Sequence, residues 1–267
     1  MKLLIQLFIK TCVETANLTG MMIFVGFLLG MLRNYSLINF QRSLGNKAVM
    51  VTGFIGVPIH ELSHGIAALL FGHRITAIKL LQKPDANGVM GYVEHSYDQN
   101  SIYEQIGNFF IGIAPIFGGI ACMVALMYVS IPQTYNNFMN ILMRNIHVET
   151  IDKSTVMGIA HSYLGLVKNI FSTGNFQNPY FYVFLFISIC ISSHISLSLA
   201  DIRGASIGLT AIFFILFILN IFGLSKYIQE VNLIKYNILV TSFLVVAVIF
   251  SMITFLVSLF FVVVRRN

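Results

Sequence analysis

Apolar residues fall in six long stretches separated by shorter polar segments, at about 16–32, 50–72, 107–130, 179–200, 205–223 and 236–264. Each is close to the ~20 residues that an α-helix needs to cross a ~30 Å hydrocarbon core. A helix satisfies its own backbone polar groups, so it is the low-cost way to place such a run in lipid. The pattern predicts an all-α polytopic membrane protein with about six transmembrane helices. The first stretch is short, and the last is long enough to tilt or to run past the membrane surface. Residues 1–12 are expected to form an interfacial helix. They are also expected to be retained, because no long apolar core with a small-residue cleavage site follows Met1.

Two connections carry structure of their own. Between the second and third spans, residues 75–95 place the turn sequence Pro84-Asp85-Ala86-Asn87-Gly88 between two partly alternating apolar runs. That arrangement predicts a short β-hairpin after the second span. Between the third and fourth spans, Thr155 to Phe171 reads as a helix lying along the membrane surface. No internal repeat or low-complexity tract divides the chain, so residues 1–267 read as a single membrane-embedded domain.

Composition agrees. Charged residues are 10% of the chain and apolar residues 57%, with a mean hydropathy of +0.83. A soluble domain carries about 25% charged residues. The net charge of +6 does not indicate nucleic acid, because the 16 Lys and Arg are scattered through loops and span ends rather than gathered in a stripe. With six spans those cations divide evenly between the two sides, so charge alone does not orient the chain. Cys12, Cys122 and Cys190 are far apart in apolar surroundings and read as buried, inert thiols.

The second apolar stretch contains His60-Glu61-Leu62-Ser63-His64. Histidines four residues apart on a helix project from one face and can bind one metal ion. Glu61 lies beside them, able to reach water at the metal without being a ligand. A hydrolytic zinc site uses three protein ligands and leaves a position for water, whose pKa falls towards ~7. Glu61 would take the proton of that water and pass it to the leaving amine. With 7 His in the chain, this pattern is expected by chance about 0.004 times. Ionisable residues are also costly in lipid and tend to mark function there.

The third ligand must come from elsewhere. Downstream candidates are Glu94, His95, Glu104, His147, Glu149, His161, His194 and Asp201. Asp201 closes the fourth predicted span and falls at a depth compatible with His64. His194, seven residues earlier on nearly the same helical face, is a candidate alternative ligand or oxyanion donor.

The span with HELSH, the hairpin directly after it and a later span ending in Ala200-Asp201-Ile202-Arg203-Gly204 together resemble the site-2 protease family of intramembrane zinc metalloproteases. The resemblance covers about residues 50–210. It implies Zn2+ held by His60, His64 and Asp201, with Glu61 activating water. It also implies a membrane-embedded protein, peptide or signal-peptide remnant as substrate, and a site facing the cytosol on the hairpin side. That would place both termini in the cytosol. The sequence departs from the family around Asp201, where the usual asparagine, prolines and double glycine are missing, and in the third span, where the family's glycine-proline-asparagine pattern is only loosely represented. This marks a divergent branch.

Two other readings compete. A non-proteolytic zinc-binding membrane protein (a sensor, transporter or immunity partner) would keep the histidines but have no use for Glu61. A hydrolase or transferase of lipid-linked substrates would need a headgroup-binding motif, and none stands out. The abundance of Ile, Asn, Lys and Phe suits an AT-rich bacterial genome, so the bacterial cell membrane is the expected location.

Overall fold

The computed structural model describes residues 2–85, 89–146, 153–224 and 233–266. It is an all-α polytopic membrane protein with one two-stranded sheet. The elements are α1 (Lys2–Leu44), α2 (Asn46–Leu70), β1 (Arg74–Lys79), β2 (Tyr92–Ser96), α3 (Ile102–Ser130) and α4 (Pro132–Ile146). They continue with α5 (Lys153–Ile170), α6 (Thr173–Phe176), α7 (Pro179–Ser192), α8 (Leu199–Ile221) and α9 (Leu233–Arg266). Among the described residues, α1, α2, α3, α8 and α9 are long and apolar enough to cross a membrane, and α7 is a shorter apolar helix.

The N-terminal segment differs from expectation. Residues 2–12 are not a separate interfacial helix but the first turns of the 43-residue α1. Nothing there breaks the helix. The hydroxyls of Thr11, Thr15 and Thr19 each donate to the carbonyl four residues back, at 2.8–2.9 Å, and so need no partner outside it.

The two apolar stretches predicted as the fourth and fifth spans also differ. Both run antiparallel to α3, one after the other. The Asn178 amide donates to the Ser130 carbonyl at 3.1 Å, Gly119 faces Ile191 and Ile195, Gly112 faces Asp201 and Ala205, and Gly208 faces Phe109. At 14 residues, α7 is about 21 Å long, too short to cross alone. With α8 it forms one path broken at residues 193–198. A helix break at membrane depth is tolerated where protein buries it, and Ser192 to Ser196 are buried. The helices meet closely because α3 and α8 present glycine to each other. A Cβ on Gly112 would stand 2.6 Å from the Asp201 carbonyl oxygen, and one on Gly208 would collide with the Phe109 backbone.

Helix α9 lies beside α1 and parallel to it. Tyr236 donates to the Leu18 carbonyl at 3.1 Å, Asn39 to Ser258 at 3.1 Å, and Arg265 to the Ser43 carbonyl at 3.1 Å. The Leu3 end of α1 and the Arg265 end of α9 therefore sit at opposite ends of the bundle. The expectation that both termini share a side assumed instead that segments 179–200 and 205–223 cross separately.

The hairpin forms as expected. Strands β1 and β2 pair antiparallel, with Ile75 opposite His95 and Lys79 opposite Tyr92 and an irregularity between Ile75 and Ala77. Residues 86–88 of the predicted turn lie outside the described residues. The predicted surface helix at 155–171 corresponds to α5. Of the cysteines, Cys190 is buried, while Cys12 and Cys122 are exposed on the bundle surface, against the expectation of three buried thiols.

Candidate metal centre

Helices α2, α3 and α8, in that order, bring His60, His64 and Asp201 together, α3 through the Ile111 carbonyl, with one ligand atom from each residue lying within 4.8 Å of the others. The first is α2, which carries both histidines one turn apart. His60 hangs from it by a hydrogen bond between Nδ1 and the His194 carbonyl oxygen at 2.9 Å. His64 Nδ1 bonds the Ile111 carbonyl oxygen at 2.8 Å. A carbonyl oxygen only accepts, so both Nδ1 atoms carry the proton and both Nε2 atoms present lone pairs.

Why can those two carbonyls accept from a side chain? In a regular helix the Ile111 carbonyl would accept from the N–H four residues on, but that residue is Pro115, which has none. The imidazole of His64 supplies the missing donor. The His194 carbonyl lies in the break between α7 and α8, where it accepts from Ser196 N–H at 3.0 Å and has a second lone pair for His60. Each histidine is thus aimed by a main-chain acceptor at an irregularity of a neighbouring helix: the Ile111 carbonyl, whose helical donor Pro115 lacks, and the His194 carbonyl, which His60 shares with Ser196 N–H. Such outer hydrogen bonds fix the tautomer and raise the basicity of the ligating nitrogen.

The third element is the first turn of α8. Ser198 caps it, accepting from Asp201 N–H at 3.1 Å, while the Asp201 carboxylate accepts from Ser198 N–H at 2.7 Å through Oδ2. This reciprocal capping box holds the carboxylate in place and points Oδ1 at His64. Asp201 therefore does not end a helix, as expected, but lies in the first turn of one.

The resulting distances are 3.1 Å between the two Nε2 atoms, 3.1 Å from His64 Nε2 to Asp201 Oδ1 and 3.8 Å from His60 Nε2 to Asp201 Oδ2. Three acceptors facing one another repel unless a cation lies among them. Ligands at tetrahedral angles about 2.0–2.1 Å from a zinc ion stand roughly 3.3 Å apart, so the observed triangle fits such an ion. The side chains of His60 and Asp201 keep 15% and 13% exposure, which leaves a way in for water.

Glu61 is buried beside this triangle and makes no hydrogen bond to a described residue. It interacts electrostatically with His64 and Asp201. The backbone just before β2 covers it. Met90 packs against Gly53, and a Cβ on Gly91 would stand 2.9 Å from Glu61 Cγ and 2.8 Å from a Val57 methyl.

The other candidates are placed elsewhere. The His194 ring turns away from the triangle, with Nε2 3.3 Å from the Thr52 hydroxyl, so the residue serves the site through its carbonyl. His95 pairs with His73, Nδ1 to Nδ1 at 2.9 Å, and His73 Nε2 donates to the Glu104 carbonyl at 2.8 Å. Burial, with contributions from His73 and His64, holds His95 below its ordinary pKa. The Glu104 carboxylate accepts from Asp98 N–H. Glu94 and His161 are exposed, and His147 and Glu149 lie outside the described residues.

Sequence reasoning missed Arg33. It placed the residue in a loop after a span ending at 32, whereas α1 runs on to Leu44. Its Nε is buried without a partner among the described residues. The residue interacts electrostatically with Asp201, His60 and His194. A signal was present: Tyr35, Leu37, Ile38 and Phe40 continue the apolar pattern past Arg33, which makes it an intramembrane cation. Ile111 and Pro115 were missed as well, because the role of each lies in the backbone.

The chain matches no family model, no curated protein and no solved structure.

Proposed function

We propose that this chain is an intramembrane zinc metalloprotease of site-2 protease type, cleaving peptide bonds in or near membrane-spanning segments. One observation carries the reading: three converging acceptors, two of them histidines oriented by main-chain carbonyls, beside a buried glutamate that makes no side-chain hydrogen bond among the described residues. His60, His64 and Asp201 would hold the ion, which supplies Lewis acidity and a water of lowered pKa. Glu61 receives the water proton and returns it to the departing nitrogen. A substrate helix must unwind to expose its carbonyl, and the unpaired outer edges of β1 and β2 offer an extended segment a place to pair.

The competing non-proteolytic zinc protein leaves unexplained why a carboxylate is buried next to the ligand cluster with no hydrogen-bond partner among the described residues. The test compares membranes containing the active chain with membranes containing Glu61→Gln. Fragments cut inside transmembrane segments or signal-peptide remnants should appear only with the active chain. Identical fragment sets would sink the reading.

We place the protein in a bacterial cell membrane with the hairpin end of the bundle towards the cytosol. Because α1 and α9 are parallel, a topology reporter should read cytosolic before α1 and external after α9. The same answer from both positions would contradict this arrangement.

A further inference from the structure

We infer that Arg33 is a catalytic residue, whose guanidinium hydrogen-bonds the carbonyl oxygen of the scissile peptide as that oxygen becomes negative. The inference rests on the protease reading and assigns the role that the sequence had offered to His194. The His194 ring is occupied with Thr52, so another donor is needed.

Three observations point to Arg33. The first is its lack of a partner. A guanidinium has five donors, yet Arg33 makes no hydrogen bond or ion pair to a described residue, and its Nε is buried. The nearby anion, Asp201, is already engaged through Oδ2 with Ser198 and through Oδ1 with His64. A cation left unpaired in a membrane span is costly, so the missing anion is one that arrives with the substrate or forms during reaction.

The second observation is position. Arg33 interacts with His60, His194 and Asp201, whereas Glu61 interacts with His64 and Asp201. A Cβ on Gly26, seven residues before Arg33 and on nearly the same face of α1, would meet Leu197 and Ile116 at 3.0 and 3.4 Å, so this face of α1 lies against the break between α7 and α8 beside the ligand triangle. A peptide carbonyl lying across the triangle meets water on the Glu61 side and turns its oxygen towards Arg33.

The third is access. His60 and Asp201 are partly exposed, and on the Arg33 face Gly30, one turn earlier in α1, has no atom within 4 Å of a Cβ built on it. Space remains there for a substrate backbone.

The step balances without a redox partner. The water oxygen bonds to the carbonyl carbon, Glu61 takes the water proton, and the π pair of the C=O bond moves onto oxygen. Arg33 donates hydrogen bonds to that oxygen and transfers no proton. On collapse the pair returns, the C–N bond breaks, and the nitrogen takes the proton from Glu61. Donors placed for such an oxyanion typically contribute 10²–10³-fold in rate.

The test uses the full chain, purified and reconstituted, with Arg33→Gln, Arg33→Met and Arg33→Lys. Four quantities are read: zinc per chain, kcat and KM, affinity for uncleaved substrate in a Glu61→Gln background, and affinity for an apolar phosphinic dipeptide. The phosphinate mimics the tetrahedral anion. For Gln and Met, kcat should fall about 10²–10³-fold, and phosphinate affinity should fall with it. Zinc and ground-state affinity should hold, with KM within about 3-fold. Lysine should recover part of the loss.

Two results overturn the inference. One is kcat and phosphinate affinity unchanged in Arg33→Gln. The other is zinc lost in step with activity, which would make Arg33 only the counter-charge of Asp201. If wild type and Glu61→Gln prove equally inactive, the protease reading fails separately. Phosphinate binding to the zinc-loaded chain then still shows whether Arg33 meets an anion.

Discussion

Replacing Glu61 with glutamine should abolish the proposed cleavage while leaving metal binding intact. The substitution keeps the size and shape of the side chain and removes only its ability to accept a proton. Glu61 is not among the three convergent ligand residues, so zinc per chain, measured by elemental analysis, stays near the wild-type value. A general base contributes about 10²–10⁴-fold, and with nothing else poised to take the water proton the loss should lie at the upper end. Gly91 and Val57 pack around the Glu61 stem, which keeps the amide where the carboxylate was, so misplacement will not imitate loss of the base. Activity within about tenfold of wild type would remove Glu61 from this role.

Asp201→Ala acts on the metal itself. It deletes one of the three proposed ligands together with half of the capping box at the start of α8. Perturbing residues behind the ligands typically costs 10–100-fold in metal affinity, so loss of a direct ligand should cost more than about 100-fold. Purified Asp201→Ala should carry almost no zinc, and cleavage should vanish with it. The lost hydrogen bond from Ser198 N–H to the carboxylate removes about 1 kcal/mol, visible as a lower Tm in detergent even for the metal-free protein. Asp201→Asn keeps one oxygen and should fall between. Full zinc in Asp201→Ala would move the third ligand elsewhere.

Much of this was legible in the sequence because it is written in side chains. The apolar runs predicted helices, the Pro84-to-Gly88 segment predicted a hairpin, and the spacing of His60 and His64 predicted one metal-binding face. Asp201 was also found, although its place in the fold was misjudged. Ile195, Leu197 and Leu199 are as apolar as their neighbours, so hydropathy cannot show that the helix stops at Ser192 and restarts at Leu199. The signals for the break are the serines at 192, 193, 196 and 198, of which Ser198 is the cap. Arg33 was lost for the opposite reason: a single charge read as a span boundary when the apolar pattern continued beyond it. The Ile111 and His194 carbonyls were out of reach, since every residue has a carbonyl and only the backbone path decides which can accept from a side chain.

That last point bears on how such a site tolerates mutation. What His60 and His64 grip are carbonyl oxygens, which no side-chain replacement at 194 or 111 removes. Those two positions can drift in identity as long as the neighbouring groups still fit. The constraint falls instead on chain length and path: a single inserted or deleted residue between 193 and 198, or a residue with an N–H in place of Pro115, would withdraw an acceptor while every ligand remained in the sequence. A recognition pattern built from ligand residues alone would score such a chain as intact.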